Sequence, residues 1–371
     1  MASFGYRAYR FEIVRSRTQE PLDLTDETLV EKFRDVLNVL ASSGTIFGDP
    51  GKRLPPTSVD GERVTQPTLT VASLIEVSPL HLHALIMHGE QGLHESYAEP
   101  GSESRNIAAG SAQAAYRVDF LLPRSGTSGV LVAEVISNRD VTKLLKSHFV
   151  HASRAIRESE RNAHKVRARE LRKQGERSPS MPDLFAIDLQ IYRLADPEQI
   201  RGILMGAKKT EAVFSQHETS AVDGSKVVRK RELRVLIETP LEVESTVDRV
   251  SNWVDRFREG TSLSTAEAVL EMEQDLNLED LDLDFDDVGV VVTPVNGSPR
   301  LFGPGFLKEI FTYQLGARQP SMLGYYRAVL NKVVMLAGVH QIELSLRSAE
   351  EVAECLLDSA PENSVEASRE D

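Results

Sequence analysis

The chain has 371 residues and a formal net charge of −13, with 56 acidic against 43 basic residues, 41% hydrophobic residues and one cysteine. That composition supports a sizeable core, excludes an intramolecular disulfide framework and argues against a protein that coats nucleic acid over its whole surface. The N-terminal MASFGYRAYRFEIVRSR lacks the apolar stretch of a secretory signal, and the longest apolar run, Val329 to Val339, is interrupted by Asn331 and Lys332, far short of the roughly 20 residues of a membrane span; the expectation is a cytoplasmic protein with no membrane contact.

Tyr6 to Val14 reads as a first strand. Leu29, Phe33, Val36, Leu37 and Leu40 recur at helical spacing, with Thr25 or Asp26 as a cap and Gly44 as a stop. Thr45 to Val64 is rich in Gly, Pro and charge and reads as a loop. Val71 to Val77 and Leu80 to His88 read as strands broken at Pro79, and Gly89 to Ser111 as a second loop. Tyr116 to Leu122 and Val130 to Ser137 are then predicted to form a hairpin across Pro123 to Gly129. A helix is predicted from about Val141, with Leu145, Phe149, Ala152 and Ile156 on its buried face. Beyond Ile156 that stripe fades, and Ser178-Pro179 closes the segment.

Leu184 to Leu194 alternates as a half-buried strand, and Val227 to Glu238 as another. Val243 to Phe257 and Thr261 to Leu276 read as helices, and Val288 to Pro299 as a strand entering an Asn296-Gly297 turn. Phe306 to Leu315 and Leu323 to Gly338 are expected to be helical, the latter as a central packing element. His340 to Leu346 reads as a last strand, and Ser348-Ala-Glu-Glu351 as a capping box opening a short helix. The tail from about Ala360 is polar and acidic and is expected to be disordered. The expected fold is α+β, with mixed or antiparallel sheets, packed helices and no regular βαβ repeat. Its expected divisions are an N-terminal domain over 1–225, a C-terminal domain over 226–358 and a tail over 359–371.

Charge is segregated along this chain. Val141 to Arg177 holds 11 Lys and Arg against 4 acidic residues, a local +7, so the remainder carries −20. Glu267 to Asp287 holds 10 acidic residues and no basic one. The basic run suggests contact with a polyanion, and the acidic run an internal competitor for it. Phosphates need only cations within reach, and arginine adds bidentate contacts. The candidate nucleic-acid ligands are Arg154, Arg157, Arg161, Lys165, Arg167, Arg169, Arg172 and Lys173, within a patch narrowed to 157–177. Lys208-Lys209 and the basic residues between Lys226 and Arg234 could extend it. The plain alternative is a solvated helix with internal pairs such as Arg154–Glu158.

Catalytic patterns are incomplete. Asp119 and Glu134 lie on the two arms of the predicted hairpin, as two Mg²⁺-binding carboxylates of a nuclease would, but Ile136 stands where a polarising lysine belongs, leaving Lys143 or Lys146 as a substitute. The plain reading puts Asp119 toward solvent. His81 and His83 share a strand face and could bind zinc with a third ligand such as His94; solvent-facing histidines are the simpler reading. Gly44 to Lys52 fails the phosphate-loop pattern at Ile46 and Arg53. Asp282, Asp284 and Asp286 fail the calcium loop at Asp287 and Thr293. Cys355 reads as a buried structural thiol. No metal or other cofactor is expected.

The hairpin leading into GVLVAEVISNRDVTKLLKSHF, with the later strand–helix units from Leu233 and Val288, resembles the architecture of phage-exclusion and anti-phage defence proteins of the lambda RexA and Kiwa KwaB kind. The resemblance covers about half the chain, and the acidic Glu267–Asp287 segment has no counterpart in it. It implies a prokaryotic DNA-binding protein in antiviral defence, a homodimer without its own catalytic site, and transfers no individual residue. The expectation is therefore a noncatalytic DNA-binding protein. The alternatives are the nuclease above, and an adaptor whose basic helix docks on an acidic protein or on segment 267–287 of a second copy.

Overall fold

The computed structural model describes residues 3–50, 66–91, 96–97, 105–106, 111–174, 180, 182–194, 196, 198–199, 202, 207–222, 225–237, 269–270, 273–274, 285, 287–294, 299–302 and 312–359. The chain divides into two units: 1–192 with 312–371, and 193–311.

The first unit is built on an eight-stranded sheet. Its strands are β1 (Phe4–Arg15), β2 (Ile46–Phe47), β3 (Gln66–Ser78), β4 (His81–Gln91), β7 (Ser111–Leu121), β8 (Ser128–Ile136), β9 (Ile187–Arg193) and β14 (Tyr313–Gly316), in the order β14-β1-β8-β7-β4-β3-β2 with β9 also paired to β1. Two short strands, β5 (Ser96–Tyr97) and β6 (Arg105–Asn106), pair with each other. The predicted hairpin is β7–β8, with Val118 opposite Ala133 and Leu121 opposite Val130. Gly129 in that hairpin lies so close to β1 that a Cβ there would sit 2.5 Å from the Phe11 ring, so only glycine fits.

Alternate residues of these strands face opposite layers. Tyr9, Phe11, Leu82, Ile86, Val118, Phe120 and Leu131 pack under two helices, α1 (Glu27–Ser42) and α2 (Thr142–Lys173). The Phe33 ring of α1 lies 5.3 Å from Phe120 and 5.5 Å from Phe149 of α2, within the range of favourable aromatic pairs. Asp26 caps α1, accepting from the Thr28 N–H at 2.9 Å. The other layer is α3 (Met322–Val339) and α4 (Ala349–Asp358). Tyr325 and Tyr326 of α3 are fully buried, and α4 opens with the predicted Ser348–Glu351 capping box.

The second unit carries a four-stranded antiparallel sheet in the order β11-β10-β12-β13, from β10 (Ala207–Val222), β11 (Ser225–Ile237), β12 (Asp287–Pro294) and β13 (Arg300–Phe302). Ala212, Phe214, Val288, Val290 and Val292 are buried in it.

The fold class is the expected α+β. The division at 225/226 is corrected: it falls inside the second unit, between the first two residues of β11, which pairs with β10 from Thr210–Ile237 to Val222–Ser225. The chain also returns to the first unit, because β14 pairs with β1 and α4 adjoins β3. Tyr313–Gly316, expected to end a helix, is instead an edge strand on β1. His340–Leu346 forms no strand; Leu344 makes one isolated bridge to Pro123. Cys355 is half-buried rather than buried. The helix expected over Val243–Phe257, the Asn296-Gly297 turn and the tail from Ala360 lie outside the described residues. So do His94 and most of Glu267–Asp287, with Asp282, Asp284 and Asp286.

Candidate functional site

Helix α2 has 32 residues, about 48 Å at 1.5 Å per residue. Its start is fixed by Asp140. That carboxylate accepts from the Thr142 N–H at 3.0 Å and from Tyr9 Oη at 2.7 Å, and pairs with Arg7 Nη1 at 2.5 Å. Burial pushes the Asp140 carboxyl up, but the bonds from Thr142, Tyr9 and Arg7 hold it below its ordinary value. Sequence reading missed Asp140, since two of its partners, Tyr9 and Arg7, lie on β1, far away in the chain.

The first half of α2 is seated by Leu144, Leu145, His148, Phe149, Ala152 and Ser153, all buried. Ser153 Oγ accepts from the Ile187 N–H at 2.8 Å, and Lys146 Nζ donates to Gln190 Oε1 at 2.7 Å. From Arg154 onward no residue is buried. Arg161, Lys165, Arg167, Arg169, Arg172 and Lys173 are exposed, and Arg157 is half-exposed. Arg154 approaches Asp188 of β9 at 3.9 Å rather than Glu158. Among the described residues, Arg157, Arg161, Lys165, Arg167 and Arg169 form no ion pair, so the internal pairing that would neutralise the helix is not made. Residues 175–177, the end of the expected patch, lie outside the described residues.

The cations proposed to extend this patch belong to the second unit. Lys209 pairs with Glu211 at 2.7 Å and Arg234 with Glu232 at 3.0 Å, so both are locally compensated.

A second group of functional side chains lies under α3, on the sheet face opposite α2. His83 stands directly across from Asp119, and His81 across from Leu121. Asp119 Oδ1 accepts from His81 Nε2 at 2.9 Å, His83 Nδ1 at 2.9 Å and Tyr326 Oη at 2.8 Å. An ionised carboxylate can only accept, so both imidazoles carry protons on those nitrogens. Tyr326 Oη gives its proton to Asp119 and, 2.9 Å from His83 Nδ1, shares the imidazole's N–H. Burial alone would raise Asp119; His83 and His81, by charge and hydrogen bond, override it and hold the carboxyl well below the ordinary range.

Arg117 and Glu134 share this face. The β7–β8 ladder runs from Leu121 to Val118, and at Arg117 the N–H donates instead to Glu134 Oε2 at 3.1 Å. The guanidinium lies 3.6 Å from Glu134 Oε1, donates to Pro320 O at 2.9 Å and sits over the Tyr325 ring. Burial raises the Glu134 carboxyl, and Arg117 opposes only part of that rise. His81 Nδ1, Arg117 Nη1, Asp119 Oδ2, Glu134 Oε1 and Tyr325 Oη are buried without a hydrogen-bond partner.

Two expectations change here. His81, His83 and Asp119 are not solvent-facing: each is at most 2% exposed. The alternative catalytic set does not assemble. Asp119 and Glu134 share a face sealed by α3, whereas Lys143 is exposed on α2, against the opposite face. The two histidines meet one oxygen of Asp119 as hydrogen-bond donors, and among the described residues no group of three or more His, Cys, Asp or Glu side chains is arranged to hold a metal ion. Nor, among those residues, is any helix long and apolar enough to cross a membrane. Among the described residues, the distal half of α2 presents a run of exposed cations, and the histidine cluster is internal.

Comparison with protein-family models, curated proteins and solved structures finds no match to this chain.

Proposed function

We propose that this protein is a noncatalytic nucleic-acid-binding protein that holds DNA phosphates through the distal half of α2. One observation carries the reading: a helix firmly seated to about Ile156 continues for more than four turns, and along it Arg161, Lys165, Arg167 and Arg169 are exposed and, with Arg157, make no ion pair among the described residues. Leaving cations exposed costs a protein little, but clustering them on one rod within a chain of net charge −13 concentrates the positive potential there. The acidic remainder repels nucleic acid, which confines contact to this rod. A role in anti-phage defence is the setting that the family resemblance supplies for such binding.

Replacing Arg157, Arg161, Lys165, Arg169 and Lys173 together by Gln, which keeps helix propensity, should abolish retention of duplex DNA in a salt-titrated gel-shift assay. The unmodified protein should lose affinity steeply as salt rises, because each neutralised phosphate releases counterions. Undiminished binding by the five-fold variant would remove this reading and favour contact through another surface.

A further inference from the structure

The charge on the distal half of α2 is ordered, and the order points to a specific docking mode. Arg157, Arg161, Lys165, Arg169 and Lys173 recur at intervals of four residues on a continuous helix. Each step rises about 6 Å and turns about 40°, so the five form a ladder about 24 Å long on one side of the rod. Arg154 and Arg172 fall in the same sector. Glu160, Arg167 and Glu170 project from the opposite side, and Glu158 is the one acid within the cationic sector. A merely soluble helix has no need for this sorting; interspersed charge would serve as well.

We propose that this ladder docks along the phosphates of one strand of duplex DNA without reading its bases, with Arg167 turned away from the contact. The inference rests on the nucleic-acid reading above and sharpens it from a run of charges to one face. One strand of a duplex carries a phosphate about every 3.4 Å of axis, so about seven phosphates lie beside a 24 Å ladder. The choice of a duplex follows from what the face lacks. Residues 157–173 contain no Phe, Tyr or Trp, whereas surfaces that hold single strands or read RNA loops stack bases on aromatic rings. The ladder offers charge at regular intervals and no Phe, Tyr or Trp ring, and the one imidazole, His164, lies half-buried outside the cationic sector.

The test uses the full-length protein and two single charge reversals, Lys165→Glu and Arg167→Glu. They lie two residues apart, are both exposed and change net charge equally, but sit on opposite sides of the helix. With a short mixed-sequence DNA duplex, Lys165→Glu should weaken binding about tenfold and reduce the salt slope by about one, while Arg167→Glu should bind as the parent does. The parent slope should be near −4.5 for five neutralised phosphates, and equal for two duplexes of unrelated sequence. Equal weakening by both reversals overturns the one-sided ladder but leaves the phosphate-binding reading standing. Tighter binding to single-stranded DNA or to duplex RNA overturns the choice of duplex DNA. Full binding by both reversals and by the five-fold Gln variant overturns the reading beneath.

Discussion

The two faces of the eight-stranded sheet are drawn from alternate residues of the same strands, yet they are held in different ways. Leu82, Ala84 and Ile86 of β4 and Val118 and Phe120 of β7 meet α1 and α2 through apolar contact alone. One position along, His81 and His83 of β4 and Arg117 and Asp119 of β7 meet α3 through hydrogen bonds and charge, at 7% exposure or less. Apolar contact is non-directional and graded, so loss of a methyl group costs in proportion to what is removed. A buried carboxylate shared by three donors is not graded, since removing it strands every partner at once. The sheet therefore presents one face tolerant of sequence change and one that depends on the identity of each side chain.

The largest effect should come from the centre of the polar face. Asp119→Ala leaves His81 Nε2, His83 Nδ1 and Tyr326 Oη without their shared acceptor in a dry site. The expected loss is about 3–5 kcal/mol, the usual cost of breaking a buried pair by removing one member. Urea unfolding followed by the near-ultraviolet circular dichroism of the tyrosines would measure it. A loss below about 1 kcal/mol would erase the contrast between the faces, because surface-like tolerance would then extend into the cluster.

Acid should expose the same difference. The folded Asp119 carboxyl is held well below its ordinary value, whereas the unfolded chain titrates near 4. Below that pH the unfolded chain takes up a proton that the folded state refuses. Stability from Asp119 is therefore complete above about pH 4 and is lost as pH falls further. Glu134 works the other way. Its folded value is raised by burial despite Arg117, so its contribution favours the fold at low pH and is lost as pH rises through that raised value. The urea midpoint of the parent should drop below about pH 4, and Asp119→Asn should flatten that limb. An unaltered limb in Asp119→Asn would transfer the acid sensitivity to other carboxylates.

Much of this fold could be read ahead of the structure, where the signal is local. The β7–β8 hairpin follows from two apolar runs around a Pro–Gly turn, and the seating of α2 up to Ile156 follows from where its apolar stripe stops. The polar cluster could be read only in part. Period-two alternation correctly put His81 and His83 on one face, and the hairpin put Asp119 and Glu134 on two neighbouring strands. Alternation says which residues share a face, not which face is covered. Here the cover is Tyr326, 207 residues from Asp119 along the chain, and nothing near His81 signals it. Strand β10 escaped notice because polar residues from Ser215 to Ser220 occupy both parities, so no two-residue period shows. The edge strand β14 is four residues long and owes its conformation to β1, not to its own sequence.

The smallest effect should come from the apolar face, and it bears most directly on the comparison because its chemistry is the plainest. Ile86 is fully buried in β4, across from Val71 on one side and Tyr116 on the other. Ile86→Val removes one methylene and no hydrogen bond, so the loss should be about 0.5–1.5 kcal/mol. The urea midpoint should shift slightly, with the dependence on denaturant unchanged and the acid limb identical to that of the parent. The unchanged acid limb is the discriminating part, since Ile86 packs among apolar side chains and makes no hydrogen bond to a carboxylate or imidazole. If Ile86→Val instead altered the response to acid, the two faces would be coupled through the thickness of the sheet, and the division into a tolerant and an exacting face would fail at its simplest point.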